Sequence, residues 1–363
     1  MTVGARILTA KRTAVCPRGG ALSEFATHEL AAPVIRAVLA DAGIDASDVD
    51  ELILSNGLGA GGNPARLAAL AAGLPERVAG LSIDRQCAGG LDAIGLASAL
   101  VSSGQARVVI AGGVESYSQR PARARPLLDG SFEPYDRPPF SPYPERDPEM
   151  AEAAADLADM LSISRERQDE WAIESHARAR AATHLPEEIV PIGEAARDSF
   201  TRNLTPKLAA RATRIVRSIT HANAAVAADA AGFCLVVADD IAPDALRISG
   251  WTSVGGDPAC PGLAPVAAIK KLFAARQIAP SDLAHAEIME AYAVQAIACA
   301  ESAGISREII NRGGGALARG HPIGASGAVL AVRLATELGR APGIGLAAIA
   351  AAGGIGTALL LES

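Results

Sequence analysis

The pattern that most constrains this chain is a turn–helix–strand unit that occurs twice. In the first half, a turn at Cys87 leads into an apolar helix over residues 87–101, and a strand ending in the glycine pair 112–113 follows. In the second half, a glycine-rich turn leads into a helix over residues 319–338, and a segment ending in the pair 353–354 follows. A repeat on this scale is typical of paired domains and not of a solenoid.

The length of the chain agrees with this division. At 363 residues it exceeds what one hydrophobic core supports, so we expect at least two packed units of α/β type. Segments with strand or helix periodicity alternate in both halves, as helices covering a sheet require. These segments are 5–10, 27–41, 51–55, 64–72, 80–83, 91–102, 107–111, 230–237, 265–275, 286–289, 293–303 and 325–338.

An irregular segment separates the two parts in which predicted strands and helices alternate. Residues 120–146 are rich in Pro and Arg, and a charged helix capped by Ser164 is predicted to run to about Ala182 with a largely solvated outer face. We interpret both as an insertion outside the core. The predicted domains are a first half formed by residues 1–118 and 219–246, an inserted lid over 119–218, and a second half over 247–363.

Composition excludes several classes of protein. A net charge of −7 and a pI near 5.5 argue against a main task of binding nucleic acid. The five cysteines have no metal-ligand spacing, and without a recognisable signal peptide they predict a reducing cytoplasm with no disulfides. The uncharged stretch 343–361 contains five glycines, so we predict two buried strands, 345–350 and 357–361, and no membrane span.

Cys87 is the first candidate for chemistry. It lies in S-I-D-R-Q-C-A-G-G-L, where a strand is predicted to end and a helix to begin. A helix N-terminus favours the thiolate, and the same turn can aim backbone N–H groups at an oxyanion. On position alone, a small buried core cysteine is an equally good interpretation.

The presence of His321 favours a catalytic role for Cys87 over a structural one. His321 lies in N-R-G-G-G-A-L-A-R-G-H-P-I-G-A-S-G-A, after a glycine-rich turn and before a second helix, as an imidazole that reaches a thiol would. Four segments in this order resemble thiolase signatures: G-N-P-A-R at 62–66, Cys87, A-G-G-V-E-S at 111–116 and G-H-P-I-G-A-S-G at 320–327. Weaker matches at 11–15, 187–191 and 251–258 extend the resemblance to thiolases over nearly the whole chain.

The resemblance implies a fold, a substrate and a mechanism. It implies two related βαβαβαββ halves, a five-layered αβαβα core and an inserted lid, assembled as a homodimer. Cys87 would carry the acyl group and His321 would activate it, while the N–H groups of Cys87 and of Ala352, which precedes Gly353, resemble an oxyanion hole. The acyl donor would be a coenzyme A thioester or a carrier-protein phosphopantetheine, with no permanently bound cofactor and no metal.

The chain also departs from the thiolase pattern. Ala350 stands where thiolases have a second cysteine that moves protons at the α-carbon, and a methyl group cannot do this. Met289 replaces an asparagine that fixes a water beside the histidine. Glu290 remains and is a candidate to orient His321.

Four further positions are candidates for a place near the substrate. Gly250 replaces a serine near the CoA pantetheine. The lid element 218–223 contains His221, considered as a replacement acid or base, and Asn223 as a supporting residue. Cys260 is a weaker candidate. Some of the lid arginines are candidates to bind a CoA phosphate or an acyl carrier protein, and the sequence does not distinguish among them: Arg120, Arg123, Arg125, Arg137, Arg178, Arg180, Arg211 and Arg214.

Three functions follow. The first is transfer of an acyl group from Cys87 to an acceptor, by a reaction that differs from that of a conventional thiolase because of Ala350. The second is a carbon–carbon lyase or aldolase acting on CoA substrates. The third is a non-catalytic thiolase-like subunit that serves a partner enzyme. The sequence identifies neither the acyl chain nor the acceptor.

Overall fold

A computed structural model describes residues 4–59 and 61–363. Its strands are β1 (Ala5–Thr13), β2 (Cys16–Pro17), β3 (Glu51–Ser55), β4 (Leu81–Ile83), β5 (Val108–Glu115), β6 (Ala124–Pro126), β7 (Phe132–Pro134), β8 (Ile189–Val190), β9 (Arg214–Val216), β10 (Ile219–Thr220), β11 (Ala228–Ala238), β12 (Leu246–Gly255), β13 (Leu283–Ile288), β14 (Ile344–Ala351) and β15 (Ile355–Glu362). Its helices are α1 (Thr27–Ala42), α2 (Pro64–Ala72), α3 (Gly89–Ser102), α4 (Met150–Met160), α5 (Arg165–Ala181), α6 (Pro206–Ala210), α7 (Ala264–Arg276), α8 (Ala293–Ala303), α9 (Ala316–Arg319) and α10 (Ile323–Arg340).

The two halves share one strand order. In the first half the order is β4-β3-β5-β11-β1, with β11 antiparallel to both of its neighbours. In the second half it is β13-β14-β15-β12, with β15 antiparallel to both neighbours, and Ile310 pairs with Ala286 on the far side of β13. The sheets join edge to edge where β1 pairs with β12. The predicted pair of related halves is therefore present as a common topology.

Five layers follow from the alternation of side chains along the strands. In β5, Val109 packs against the central helices while Ile110 packs against α1 and α2 on the outside. In β15, Leu359 faces the central layer and Leu360 faces α7 and α8. The layers are thus α1 and α2, the first sheet, α3 and α10, the second sheet, and α7 and α8. This confirms the predicted fold.

The predicted match between the two glycine pairs is wrong in detail. Gly353 and Gly354 form the turn between β14 and β15, but Gly112 and Gly113 lie inside β5, which continues to Glu115. A Cβ at Gly113 would lie 2.0 Å from the carbonyl oxygen of Gly324. The first pair therefore permits close backbone approach, whereas the second makes a turn with positive φ.

The inserted segment is attached to the core more closely than we predicted. The side chain of Ser164 caps α5 as expected, but one face of this helix is buried, including Trp171, Ala172 and Ser175. Later in the insertion, β8 pairs in parallel with β1, and Ile192 packs in the first-half core. The prediction that this helix lies outside the core was therefore wrong for its buried face, and the exact domain boundaries stay a prediction.

The uncharged C-terminal stretch forms the strands β14 and β15, close to the predicted limits. Throughout residues 4–59 and 61–363, no helix combines the length and apolar character needed to cross a membrane.

Candidate active site

The structure places Cys87 and His321 in contact. Cys87 lies on a short 3₁₀ turn, 86–88, that runs into α3, and His321 lies between Gly320 and α10. Cys87 Sγ and His321 Nε2 are 3.1 Å apart. Gln86 adopts φ +50° immediately before the thiol, a conformation that is uncommon for a residue with a side chain and is often found at functional sites. The two residues singled out from sequence therefore meet, although one comes from each half.

Close packing of α3 against α10 brings them together. A Cβ at Gly90 would lie 2.6 Å from the backbone nitrogen of Ala328, and a Cβ at Gly327 would lie 2.4 Å from that of Leu91. The two helices therefore touch backbone to backbone near their N-termini, which only glycine allows. Cys87 and His321 immediately precede these helices. The close approach of the two helices therefore brings the thiol and the imidazole into contact with each other.

Ser326 determines which nitrogen of His321 carries the proton. Its hydroxyl oxygen is 2.6 Å from His321 Nδ1, and the hydroxyl donates to the carbonyl oxygen of Pro322 at 2.9 Å. With its proton used in this way, the hydroxyl accepts from Nδ1–H, so Nε2 is left as an acceptor that faces the thiol. This tautomer is the one a general base requires. Sequence reasoning assigned no role to Ser326, although it lies within the quoted G-H-P-I-G-A-S-G segment.

Burial disfavours the charged forms of both Cys87 and His321. Burial raises the pKa of Cys87 to about 12, and the carboxylates of Glu115 and Asp84 act in the same direction. Burial lowers the pKa of His321 to about 4. Burial of the charge therefore opposes the thiolate that the helix N-terminus favours.

Glu115 explains why the A-G-G-V-E-S segment belongs to the site. Its carboxylate accepts hydrogen bonds from the backbone nitrogens of Gly57 and Gly324, each at 3.0 Å, and from Asn56 Nδ2 at 2.8 Å. It thereby ties the loop after β3 to the first turn of α10. Burial raises the pKa of Glu115 to about 7.

A cavity of about 590 Å³ opens onto the Cys87–His321 pair. Its wall combines both halves and the insertion, and it includes Ala350, Ala352 and Leu157 of α4. Ala350 therefore lies where a side chain would reach the substrate, and its methyl group offers no proton. Ala352 lines the cavity as well, and its role in an oxyanion hole stays a prediction.

The neighbouring Met289 and Glu290 do not lie where they were expected. Met289 is buried in the central hydrophobic layer and is absent from the cavity wall. Glu290 is also fully buried, and it does not orient His321. It accepts hydrogen bonds from Trp171 Nε1 at 3.0 Å and Ser175 Oγ at 2.7 Å, and so fastens α5 to the second half.

Four weaker candidates lie outside the cavity wall. His221 is exposed, which removes it as a replacement acid or base. Asn223 is buried, but its amide donates to Asp169 Oδ1 at 3.0 Å and to the Ser218 carbonyl, so it shapes the loop. Gly250 lies in β12, where a Cβ would meet Leu272 Cδ1 at 2.7 Å. Cys260 packs against the second-half core.

Among the lid arginines, Arg120, Arg123 and Arg137 line the cavity. Arg120 pairs with Asp136 at 3.0 Å and Arg137 pairs with Asp147, whereas Arg123 donates to the Gly57 carbonyl oxygen at 3.1 Å. The others, Arg125, Arg178, Arg180, Arg211 and Arg214, are absent from the wall.

Sequence reasoning assigned no role to several polar side chains of the wall, among them Tyr117, Tyr292 and Gln295. Tyr292 could have been noticed, because it lies three residues after Met289, in a segment that departs from the thiolase pattern. Across the part of the chain that the structure describes, no cluster of His, Cys, Asp and Glu is suited to hold a metal ion.

Comparisons with known proteins agree with this geometry. The model of the thiolase N-terminal domain matches residues 5–240, and that of the thiolase C-terminal domain matches residues 243–363. YhfS of Bacillus subtilis, provisionally assigned as an acetyl-CoA C-acetyltransferase, is 41% identical over 379 residues, covering 99% of each chain. VraB of Staphylococcus aureus strain MRSA252, with the same provisional assignment, is 35% identical over 373 residues, covering 98% of each.

A solved structure is similar to this chain over nearly its whole length. The crystal structure of the Bacillus anthracis acetyl-CoA acetyltransferase superposes with a TM-score of 0.92 at 32% identity and covers 99% of both chains. These matches confirm the predicted family, the predicted fold and the predicted enzyme class, acyltransferase. The chain therefore belongs to the thiolase family.

Proposed function

We propose that this enzyme transfers an acyl group from a CoA or carrier-protein thioester to Cys87 and then to an acceptor, by a route that differs from conventional thiolysis. The observation that carries the proposal is the 3.1 Å contact between Cys87 Sγ and His321 Nε2 in an open cavity. Relatives named as acetyl-CoA acetyltransferases support a CoA thioester as the donor.

The first half-reaction follows from the protonation states. As Sγ attacks the thioester carbon, its proton passes to Nε2 of His321. The negative oxygen that forms would accept hydrogen bonds from the backbone N–H groups of Cys87 and Ala352. When the carbon–sulfur bond to the donor breaks, the imidazolium returns its proton to the departing thiolate. Because burial lowers the pKa of His321 to about 4, this return is favoured.

The second half-reaction must proceed without the usual second cysteine. Ala350 lines the cavity but cannot remove a proton from an α-carbon. An amine, an alcohol or an already activated carbon nucleophile requires no such base, and His321 is free to accept the proton that an amine or alcohol releases. We therefore propose an acceptor of one of these kinds.

The proposed assembly is a homodimer. Strand β4 forms the open edge of the first sheet. Leu81 on this edge and Leu67 and Leu70 on neighbouring α2 are exposed, as a paired sheet edge would allow. Sedimentation equilibrium would test this, and a monomer at all concentrations would contradict it.

The decisive experiment is intact-protein mass spectrometry after mixing with a panel of acyl-CoA and acyl-carrier thioesters. We expect a mass gain of one acyl group that is lost in Cys87→Ala and retained in Cys260→Ala, the matched control for a half-buried thiol. Ligand binding without an adduct would favour the lyase or the non-catalytic subunit.

A further inference from the structure

The start of α8 carries two polar groups that the proposed acyl transfer does not use. Tyr292 is the N-cap residue of this helix and Gln295 lies one turn later, so both side chains share a face, and both line the cavity. They lie on the wall formed by the second half, together with Ala291.

Gln295 indicates that this wall is built for a polar ligand. The residue is only 3% exposed, yet neither Oε1 nor Nε2 has a hydrogen-bond partner within residues 4–59 and 61–363. Leaving a buried amide unpaired is costly unless a ligand or an ordered water completes it. An otherwise apolar stretch of wall, with Leu157 and Gly262 beside the amide, therefore offers an unoccupied donor and an unoccupied acceptor.

Tyr292 is held close to the catalytic pair by backbone pairing. It bridges to Ala224, while His321 bridges to Ala227 on the same short segment. Ala224 and Ala227 are three residues apart, and three residues of chain span at most about 11 Å. Tyr292 and His321, which pair with them, are therefore near enough for the phenol to reach a substrate beside His321. Within the described chain its hydroxyl makes no hydrogen bond to protein.

The ionisation of Tyr292 suits a donor and not a base. Burial raises its pKa to about 12, and the charge of an ionised Cys87 acts in the same direction. The phenol therefore stays protonated throughout the neutral range and can donate a hydrogen bond to a carbonyl oxygen that gains negative charge.

We propose that Tyr292 is a further catalytic residue, whose hydroxyl donates a hydrogen bond to the carbonyl oxygen of the thioester bound beside Cys87 and His321. Tyr292 thereby supplies a hydrogen-bond donor to this part of the cavity wall. Met289 supplies none, because it is buried in the core. The unpaired amide of Gln295 binds the next polar group of the same ligand. This inference rests on the proposed use of a CoA thioester.

The test compares two unreactive ligands in a Cys87→Ala background, which prevents covalent addition. One is an acetyl-CoA analogue with methylene in place of the thioester sulfur, which keeps the carbonyl, and the other is S-ethyl-CoA, which lacks it. Calorimetry should show tighter binding of the carbonyl analogue. Tyr292→Phe should reduce this preference about tenfold, the effect of one hydrogen bond, without weakening S-ethyl-CoA.

Tyr117→Phe is the matched control, since Tyr117 lines the same cavity from the other half. It should leave the preference unchanged. An unaltered preference in Tyr292→Phe, or an equal loss in Tyr117→Phe, would overturn the inference. Binding of neither ligand would overturn it together with the CoA donor. If both ligands bind but native Cys87 is not acylated, the proposed acyl transfer is wrong. The hydrogen bond from Tyr292 to the carbonyl would then still be supported by the binding preference.

Discussion

The imidazole of His321 and the hydroxyl of Ser326 lie 2.6 Å apart, one turn into α10, and the hydroxyl also donates to the Pro322 carbonyl. This arrangement keeps the proton on Nδ1 and leaves Nε2 free to accept the proton of Cys87. Ser326 thus acts through His321 as a positioning residue.

Replacing Ser326 by alanine should slow acylation of Cys87 roughly tenfold, because the imidazole loses the partner that selects its tautomer. Quenched-flow mass spectrometry with acetyl-CoA would measure the rate. Ser326→Thr should recover most of it, since the hydroxyl is restored. Recovery by threonine separates positioning from loss of packing, and equal rates in the alanine variant and the wild type would refute the role.

The reactivity of Cys87 should rise steeply with pH. With a thiol pKa near 12, the thiolate fraction increases about tenfold per pH unit between pH 7 and 9. We expect alkylation by iodoacetamide, followed on the peptide that contains Cys87, to increase accordingly. A rate independent of pH across that range would show a preformed thiolate–imidazolium pair instead.

Glu188 should be essential for stability. Its two carboxylate oxygens bind Arg12 Nε at 2.6 Å and Arg333 Nη1 at 2.5 Å, and all three side chains are buried. Glu188→Gln removes the carboxylate that the two buried guanidinium groups share, leaving Arg12 with Asp198 and Arg333 with Glu337. It should lower the free energy of unfolding by about 3 kcal/mol, the low end for a broken buried ion pair. Urea denaturation would measure this. The adjacent Glu187, exposed and paired at 3.5 Å with Arg340, provides the control, since Glu187→Gln should change stability by less than about 0.5 kcal/mol.

The pH dependence of this ion pair has a definite sign. Burial alone would raise the pKa of Glu188, but Arg12 and Arg333 lower it to about 2 from an ordinary 4.5. Its contribution to stability is therefore present above pH 4.5 and is lost as pH falls towards 2. The stability difference between wild type and Glu188→Gln should shrink over that interval.

Restoring a thiol at position 350 should increase conventional thiolase activity. Ala350→Cys places an acid or base in the cavity beside Cys87, so thiolysis of acetoacetyl-CoA should rise at least tenfold. Ala350→Ser, similar in size but a poor proton carrier, should give no such gain. Adding Met289→Asn should not help, because that side chain is in the core and a buried amide there should destabilise the fold by about 1–3 kcal/mol. No increase in Ala350→Cys would show that more than this cysteine is missing.

The sequence by itself determined the elements and the two principal site residues. Strand and helix periodicity placed α2 and α8 at their observed limits, because local alternation of apolar residues depends on backbone geometry alone. The motifs around Cys87 and His321 identified the family, because their turn glycines and reactive side chains have a fixed spacing along the chain.

Only the tertiary structure decided the partners of these residues. Ser326 and Gln295 lie in helices, and Tyr292 is a helix N-cap. Helical periodicity does not reveal that Ser326 contacts His321 or that Tyr292 and Gln295 border the cavity. Glu290 was expected beside His321, yet it turns towards Trp171 and Ser175 of the insertion. The raised pKa of Cys87 likewise depends on burial, which is set by all the surrounding layers. Such relationships depend on how distant segments pack, and neighbouring residues along the chain do not encode them.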